Sequence, residues 1–249
     1  MNSITPSEVV SSGILRRFKI PLLSRLKNAV LSWHFRRRHT GAGSYVDRST
    51  HVLGWRSVRI GKKSVVSADC WFNVNNRSSG AMQINVGDFC HLGRRNLLSS
   101  GRLLQFGDYC LTGPDCRFLG SDHIFDDPFM PYVASGAKQV AVMEVGPNCW
   151  FGAGVVVMGN VKIGHGSVIG ALALVTKNIP PFSLVVGNPA RVIKRYSMNQ
   201  QAWVPAQALP LHEEQALPEE KTYLEILRRS RSSITMPVAA ASKRMGDLP

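Results

Sequence analysis

Residues 145–180 read VGPNCW-FGAGVV-VMGNVK-IGHGSV-IGALAL-VTKNIP, which is six consecutive blocks of six residues. The first residue of every block is apolar: Val145, Phe151, Val157, Ile163, Ile169 and Val175. The second residue is Gly in four of the six blocks, and the fifth is mostly small or β-branched. An α-helix repeats every 3.6 residues and a strand every two, so neither keeps one face at a period of six. The pattern predicts short strands joined by tight turns, the hexapeptide signature of a parallel β-helix.

The same period of six extends towards the N-terminus and a little further towards the C-terminus. It begins near Ile60, is interrupted by a loop at 73–81, and ends near Val186. The period is also lost over about 124–144, and a loop of that length inside a compact repeat usually has a function. We therefore assign residues 41–196 to a β-helix domain that carries one long inserted loop.

The positive charge of the chain is concentrated at its N-terminus. The formal net charge is +14, and residues 1–40 hold eight Lys or Arg against one Glu. Apolar residues recur there at three- and four-residue spacing, so residues 1–40 are predicted to be a basic amphipathic helical segment. The segment either packs on the end of the β-helix or on a neighbouring subunit, or it lies on a membrane surface. Packing is favoured, because an exposed last coil needs a cap.

Composition limits the remaining function classes. No run of 18 apolar residues and no secretory signal is evident, so we expect a cytoplasmic protein, membrane-peripheral if residues 1–40 act as an anchor. The β-helix region lacks a basic stripe interleaved with stacking aromatic residues, so nucleic acid is not an expected partner.

Five cysteines all fall at the fifth position of a block: Cys70, Cys90, Cys110, Cys116 and Cys149. The number is odd and no C-x2-C pair occurs, which argues against a disulfide framework or a zinc site. The fifth position is a small inward slot, where a free thiol behaves as a small apolar group. We predict packing residues in a reducing compartment.

Residues 197–249 have a different composition and zero net charge. Their first part is rich in Pro, Gln and Ala and is predicted to be an extended linker. A short helix is predicted at 219–231, because acids begin it and bases end it. The rest of this tail is predicted to be disordered, and we assign no chemistry to it.

Several motifs carry a resemblance to a known family. They are SDH at 121–123, WFG at 150–152, IGHGSVIGA at 163–171, VTKNIPP at 175–181 and GNPARVIK at 187–194. Together they resemble the left-handed β-helix acyltransferases, which include sugar and polysaccharide O-acetyltransferases, over roughly residues 60–196. The resemblance implies an all-β, left-handed parallel β-helix and a homotrimer with active sites between subunits. It also implies transfer of an acetyl group from acetyl-CoA to a sugar or polysaccharide acceptor.

His123 matches the catalytic histidine of this family. A sugar hydroxyl is a poor nucleophile, and a neutral imidazole can remove its proton as it attacks the thioester carbonyl. Trp150 matches an aromatic residue that lines the acceptor pocket, with Phe151 in place of the usual Ile. Asp126, near His123 in sequence, is a candidate either for acceptor contact or for a structural role in the loop.

Other matched positions point to coenzyme A. Small side chains let a backbone approach the pantetheine, and fixed cations bind phosphates. The candidates are Ala153, Ala171, Thr176, Lys177, Arg191 and Lys194. The sequence departs from the family pattern at 171–174, where the turn lacks its second Gly, and this puts the coenzyme path at that coil in doubt.

Three alternatives to sugar O-acetylation stay open. The same base would serve N-acyl transfer to an amino sugar. A non-catalytic β-helix scaffold would lack the motifs that occur together here. A zinc enzyme of this fold needs three suitably spaced histidines, but position 118 is Phe, so no metal is expected.

Overall fold

The computed structural model describes residues 37–138 and 141–230. By backbone contacts the chain divides into two units, Met1–His34 and Phe35–Pro249. The first unit, and with it nearly all of the predicted basic helix, lies outside the described residues. Within the described residues, no helix has both the length and the apolar character needed to cross a membrane.

The second unit is built from short strands that wind into coils with three sheets as sides. Sheet 1 contains β1 Tyr45–Val46, β4 Val65–Val66, β7 His91–Leu92, β10 Leu111–Thr112, β15 Trp150–Phe151, β18 Val168–Ile169, β20 Ser183–Val186, β21 Arg191–Ser197 and β22 Ala202–Pro205. Sheet 2 contains β2 His51–Leu53, β5 Trp71–Asn73, β8 Leu97–Ser99, β11 Arg117–Leu119, β16 Val156–Met158 and β19 Leu174–Val175. Sheet 3 contains β3 Val58–Ile60, β6 Ile84–Val86, β9 Leu103–Phe106, β14 Val142–Val145 and β17 Val161–Ile163.

Each strand pairs in parallel with the strand one coil away, up to β20. The parallel β-helix predicted from the period of six is therefore confirmed. The first residue of each block points inward, so the core is a stack of aliphatic and aromatic side chains. Phe106, Phe118 and Phe151 come from the three different sheets and meet edge to face, with ring centroids 4.8–6.4 Å apart.

The corners of the coils are closed by Gly and by small polar side chains. At the corner between sheets 3 and 1, a Cβ on Gly164 would lie 2.2 Å from the backbone nitrogen of Pro181 in the next coil. Only Gly allows coils to stack this closely. The packing role predicted for the five cysteines is confirmed, because all five are free thiols and all are buried.

Two segments leave the coils at the corner between sheets 2 and 3. Residues 74–83 form a loop between β5 and β6, and residues 120–141 form the long insertion between β11 and β14. The insertion contains a hairpin of β12 Asp122–His123 and β13 Ala137–Lys138. The coil resumes at Val142, earlier than the Val145 at which the sequence pattern restarts, because Met143 already fills an inward position.

The C-terminal segment is folded where the sequence predicts an extended linker. Strands β21 and β22 run antiparallel along the end of sheet 1, and two helices follow, α1 Leu211–Gln215 and α2 Glu220–Ser230. Arg195 Nη1 lies 2.6 Å from Glu214 Oε1, so the ion pair joins β21 to helix α1. Tertiary contacts therefore override the Pro- and Gln-rich composition.

Candidate functional site

His123 lies in the inserted hairpin, on the short strand β12. Its strand pairs antiparallel with β13, so that His123 is opposite Ala137 and Asp122 is opposite Lys138. The side chain of His123 is exposed. The Asp122 carboxylate accepts a hydrogen bond from the His123 backbone N–H at 2.8 Å, which fixes the backbone rather than the imidazole ring.

A polar network lies beneath this hairpin, and the sequence reasoning did not find it. The Asn75 side-chain amide donates to Ser121 Oγ at 2.6 Å, to Ser99 Oγ at 3.2 Å and to the Ser100 carbonyl. Asn73 in turn donates to the Asn75 side-chain oxygen at 2.7 Å. The network ties the loop at 74–83 to the residue from which the His123 hairpin departs. The three asparagines Asn73, Asn75 and Asn76 were the available sequence signal.

Asp126 lies further along the insertion and is ion-paired. Lys138 Nζ is 3.0 Å from both carboxylate oxygens of Asp126 and 5.3 Å from the centre of the Phe125 ring. The pair joins the segment that follows β12 to strand β13. The tip beyond it exposes large apolar side chains, with Phe129 95% and Val133 93% exposed.

Trp150 and Lys194 lie on the outer face of sheet 1. The cross-strand register runs from Leu111 to Trp150, Val168, Leu184 and Lys194. Trp150 is 51% exposed, and Lys194 is exposed at the end of the column. This column is apolar from Leu111 to Leu184 and ends at Lys194.

Ala153, Ala171 and Arg191 lie at the corner between sheets 1 and 2. Both alanines are exposed, and a Cβ on Gly152 would lie 2.6 Å from the Ala171 nitrogen, so consecutive coils stack closely here. Leu172 takes the left-handed conformation with φ 61°, although the sequence lacks the usual Gly at this turn. The departure from the family pattern therefore leaves the turn geometry intact.

Thr176 and Lys177 lie at the corner between sheets 2 and 3, two coils beyond the point where the His123 hairpin departs. Both side chains are exposed. Neighbouring parallel strands are about 4.8 Å apart, so two coils correspond to about 10 Å along the axis. Within one chain, the structure thus places Lys177 on the same corner as His123, and it places Ala153 and Ala171 on another.

Residues 37–138 and 141–230 contain no cluster of side chains that could bind a metal ion. No group of three or more His, Cys, Asp or Glu side chains is placed to hold an ion. His165, one of the histidines considered from the sequence, is buried, and its Nε2 lies 2.9 Å from the Pro218 carbonyl. Burial lowers the pKa of His165 from its ordinary value, with the Pro218 hydrogen bond acting in the opposite direction.

Comparison with known proteins agrees with the coil pattern. Residues 143–177 match the family described as bacterial transferase hexapeptide (six repeats). These residues form the coils from β14 to β19 of the parallel β-helix. An N-acyltransferase, AntD, from Bacillus cereus in complex with dTDP and coenzyme A aligns with a TM-score of 0.55 at 15% identity, covering 70% of this chain and 91% of that chain. This alignment supports the left-handed, all-β fold of this chain.

Two sequence relatives carry provisional names. A Mycobacterium tuberculosis protein named as a probable acetyltransferase is 32% identical over 59% of this chain and 45% of its own length. A Staphylococcus aureus protein, also named provisionally as an acetyltransferase, is 46% identical over 30% of this chain and 35% of its own length. This chain thus spans less than half the length of these relatives.

Proposed function

We propose that this protein is an acetyltransferase that moves an acetyl group from acetyl-CoA to a hydroxyl of a sugar or polysaccharide precursor. The observation that carries the proposal is the position of His123. It is an exposed imidazole at the start of a long insertion, tied to the coils through the Asn75 network. The names of the sequence relatives support acetyl transfer as the reaction class.

In the proposed reaction His123 acts as the general base. Its neutral imidazole removes the proton of the acceptor hydroxyl while the oxygen attacks the thioester carbonyl. The C–S bond breaks, and the imidazolium returns the proton to the departing sulfur. Proton transfer and acyl transfer then occur between the two bound substrates, with no covalent intermediate on the protein.

The residues at the corner between sheets 1 and 2 fit the coenzyme. Ala153 and Ala171 are small and exposed, and exposed Arg191 begins β21 at the same corner. Exposed Lys177 and Lys194 are further cations for the phosphates. Bound coenzyme would supply the activated acetyl thioester.

The separation of these residues supports a site completed by a second copy of the chain. His123 and Ala153 lie at different corners of one β-helix. The outer face of sheet 2 exposes Leu53 and Met158, at 41% and 40%, and such apolar surfaces mark interaction sites. We therefore propose a homotrimer in which His123 of one subunit faces the coenzyme corner of its neighbour.

The test is coenzyme A release from acetyl-CoA over a panel of sugars and oligosaccharides. We expect acceptor-dependent release, and a decrease of at least ~100-fold in His123→Ala. His51→Ala is the matched control, because His51 is also exposed but lies in the first coil. Equal rates in wild type and His123→Ala would remove His123 from the mechanism.

N-acyl transfer to an amino sugar is the second candidate. The similarity in fold to AntD, named as an N-acyltransferase, favours including it. The same panel distinguishes O-acetyl transfer from N-acyl transfer if each sugar is tested beside the corresponding amino sugar. Release that requires the amine would replace the O-acetyl proposal and leave the role of His123 unchanged.

We propose a cytoplasmic location, with any membrane contact made through residues 1–40. Eight basic residues in that segment would favour an anionic lipid surface. Co-sedimentation with anionic liposomes, with and without residues 1–40, tests this directly. Equal binding by the two forms would exclude the segment as an anchor.

A further inference from the structure

A cavity of about 460 Å³ lies between the outer face of sheet 1 and the C-terminal segment. Strands β15 and β18 form its floor, β21 and β22 form one wall, and helix α2 covers it. The side chains used in the argument are Asn148, Trp150, Tyr196, Trp203, Tyr223 and Ile226. Its volume is in the range of small-molecule sites.

Aromatic rings dominate the lining, and contacts between these rings fix several of them. Trp203 packs edge to face on Tyr196, with ring centroids 5.5 Å apart. Tyr223 packs in the same way on Phe182 at 4.9 Å. Trp150 stays half exposed beneath them. The rings thus offer flat apolar faces to a ligand at little further loss of side-chain entropy.

The edges of the cavity carry hydrogen-bonding groups. The Asn148 amide donates to the Tyr223 hydroxyl oxygen, which leaves the hydroxyl hydrogen and the Asn148 carbonyl oxygen able to pair with a ligand. Trp203 and Tyr196 add an indole N–H and a second hydroxyl. Apolar faces and polar edges therefore occur together.

Charge excludes some ligand classes. Of the residues that line the cavity, all in the described part of the chain, none has a charged side chain. A phosphate or carboxylate would have no cation to pair with there. A hydrocarbon chain would leave the amide and hydroxyl groups at the edge without partners. A sugar ring has apolar C–H faces for the aromatic rings and hydroxyl groups for the polar edges.

We propose that this cavity binds an uncharged saccharide ring. The site is separate from His123, which lies at the corner between sheets 2 and 3, whereas the cavity opens near the corner between sheets 3 and 1. The inference does not rest on the proposed acetyl transfer. Binding at the cavity can therefore be measured with no acyl donor present.

The experiment is saturation-transfer NMR on the full chain with uncharged methyl glycosides and disaccharides, followed by titration of the best ligand. We expect a dissociation constant of about 1 mM or tighter and a loss of about tenfold in Trp203→Ala. Trp71→Ala is the matched control, because Trp71 is as exposed as Trp150 but lies on sheet 2. It should bind as wild type.

A second variant distinguishes loss of saccharide binding from loss of folding. Ile226→Trp on the exposed side of helix α2 places a large ring over the cavity, and should weaken binding while circular dichroism stays unchanged. Saccharide binding that is equal in wild type, Trp203→Ala and Ile226→Trp would overturn the proposal. So would binding of decyl maltoside through its alkyl chain alone, or occupation of the cavity by a second copy of the chain.

Discussion

Cys149 offers a quantitative test of how the coils are held together at the corner between sheets 3 and 1. Its buried thiol donates to the Gly164 carbonyl of the next coil at 3.3 Å. Cys110 makes the same contact to Gly146 at 3.3 Å, and Ser64 and Ser167 make it with hydroxyl groups in other coils. The side chain at this position therefore satisfies a buried carbonyl, besides filling space.

Cys149→Ala removes the donor and the sulfur together. A carbonyl left unpaired costs about 1 kcal/mol here, at the low end for buried groups because a thiol is a weak donor. The space left by the sulfur adds about 1 kcal/mol. We expect a total loss of about 2 kcal/mol in the free energy of unfolding, which is about 4–8 °C in Tm for a chain of this size. Cys149→Ser keeps the donor and should lose less than ~1 kcal/mol.

The assay is urea unfolding followed by far-UV circular dichroism and by tryptophan fluorescence. Agreement of the two probes supports a two-state treatment, which a chain of stacked repeats does not guarantee. The reasoning would be refuted if Cys149→Ala were as stable as wild type, or if Cys149→Ser lost as much as Cys149→Ala. The first result would show that the thiol does not stabilise the fold. The second would show that the thiol acts through its volume and not through its hydrogen bond.

Three further predictions follow from described contacts. Gly164→Ala should lose several kcal/mol in the free energy of unfolding, because its Cβ would lie 2.2 Å from the Pro181 backbone nitrogen. We expect the variant to be insoluble or to elute as an expanded protein in size-exclusion chromatography. Burial lowers the pKa of His165, so as the pH falls the unfolded chain takes up a proton at this residue before the folded chain does. Docking of helix α2 should therefore be complete above about pH 6.5 and weaken below it, as measured by limited proteolysis at 218–230. Equal cleavage at pH 5 and pH 8 would contradict this. Asn75→Ala should cost about 1–3 kcal/mol and raise KM for the acceptor by loosening the His123 hairpin, whereas unchanged stability and KM would argue against the network.

The coil architecture could be predicted from the sequence because one inward aliphatic residue in every six is a local rule. The same rule placed the cysteines at inward corners. It also placed His123 beside the insertion, although its role stays a prediction. Local periodicity was enough for each of these conclusions.

The distribution of the other candidate residues could not be predicted in the same way. Which corner Ala153 or Lys177 occupies depends on strand register and on where loops leave the coils. The folded C-terminal segment was missed because its composition is typical of a linker. Its order depends on contacts such as Trp203 with Tyr196 and Tyr223 with Phe182, which join residues far apart in sequence or across a turn.

Strands β21 and β22 pair antiparallel at the end of sheet 1, and this pairing limits the end-to-end stacking of one β-helix on another. An uncovered last coil would present unpaired backbone N–H and C=O groups that can pair with a strand of another molecule. Such pairing would stack molecules end to end into filaments. Here the chain covers that edge with its own reversed strand, and β22 is four residues long and ends at Pro205, which has no N–H to donate. Removal of residues 191–205 should therefore promote polymerisation, visible as growth in light scattering with protein concentration.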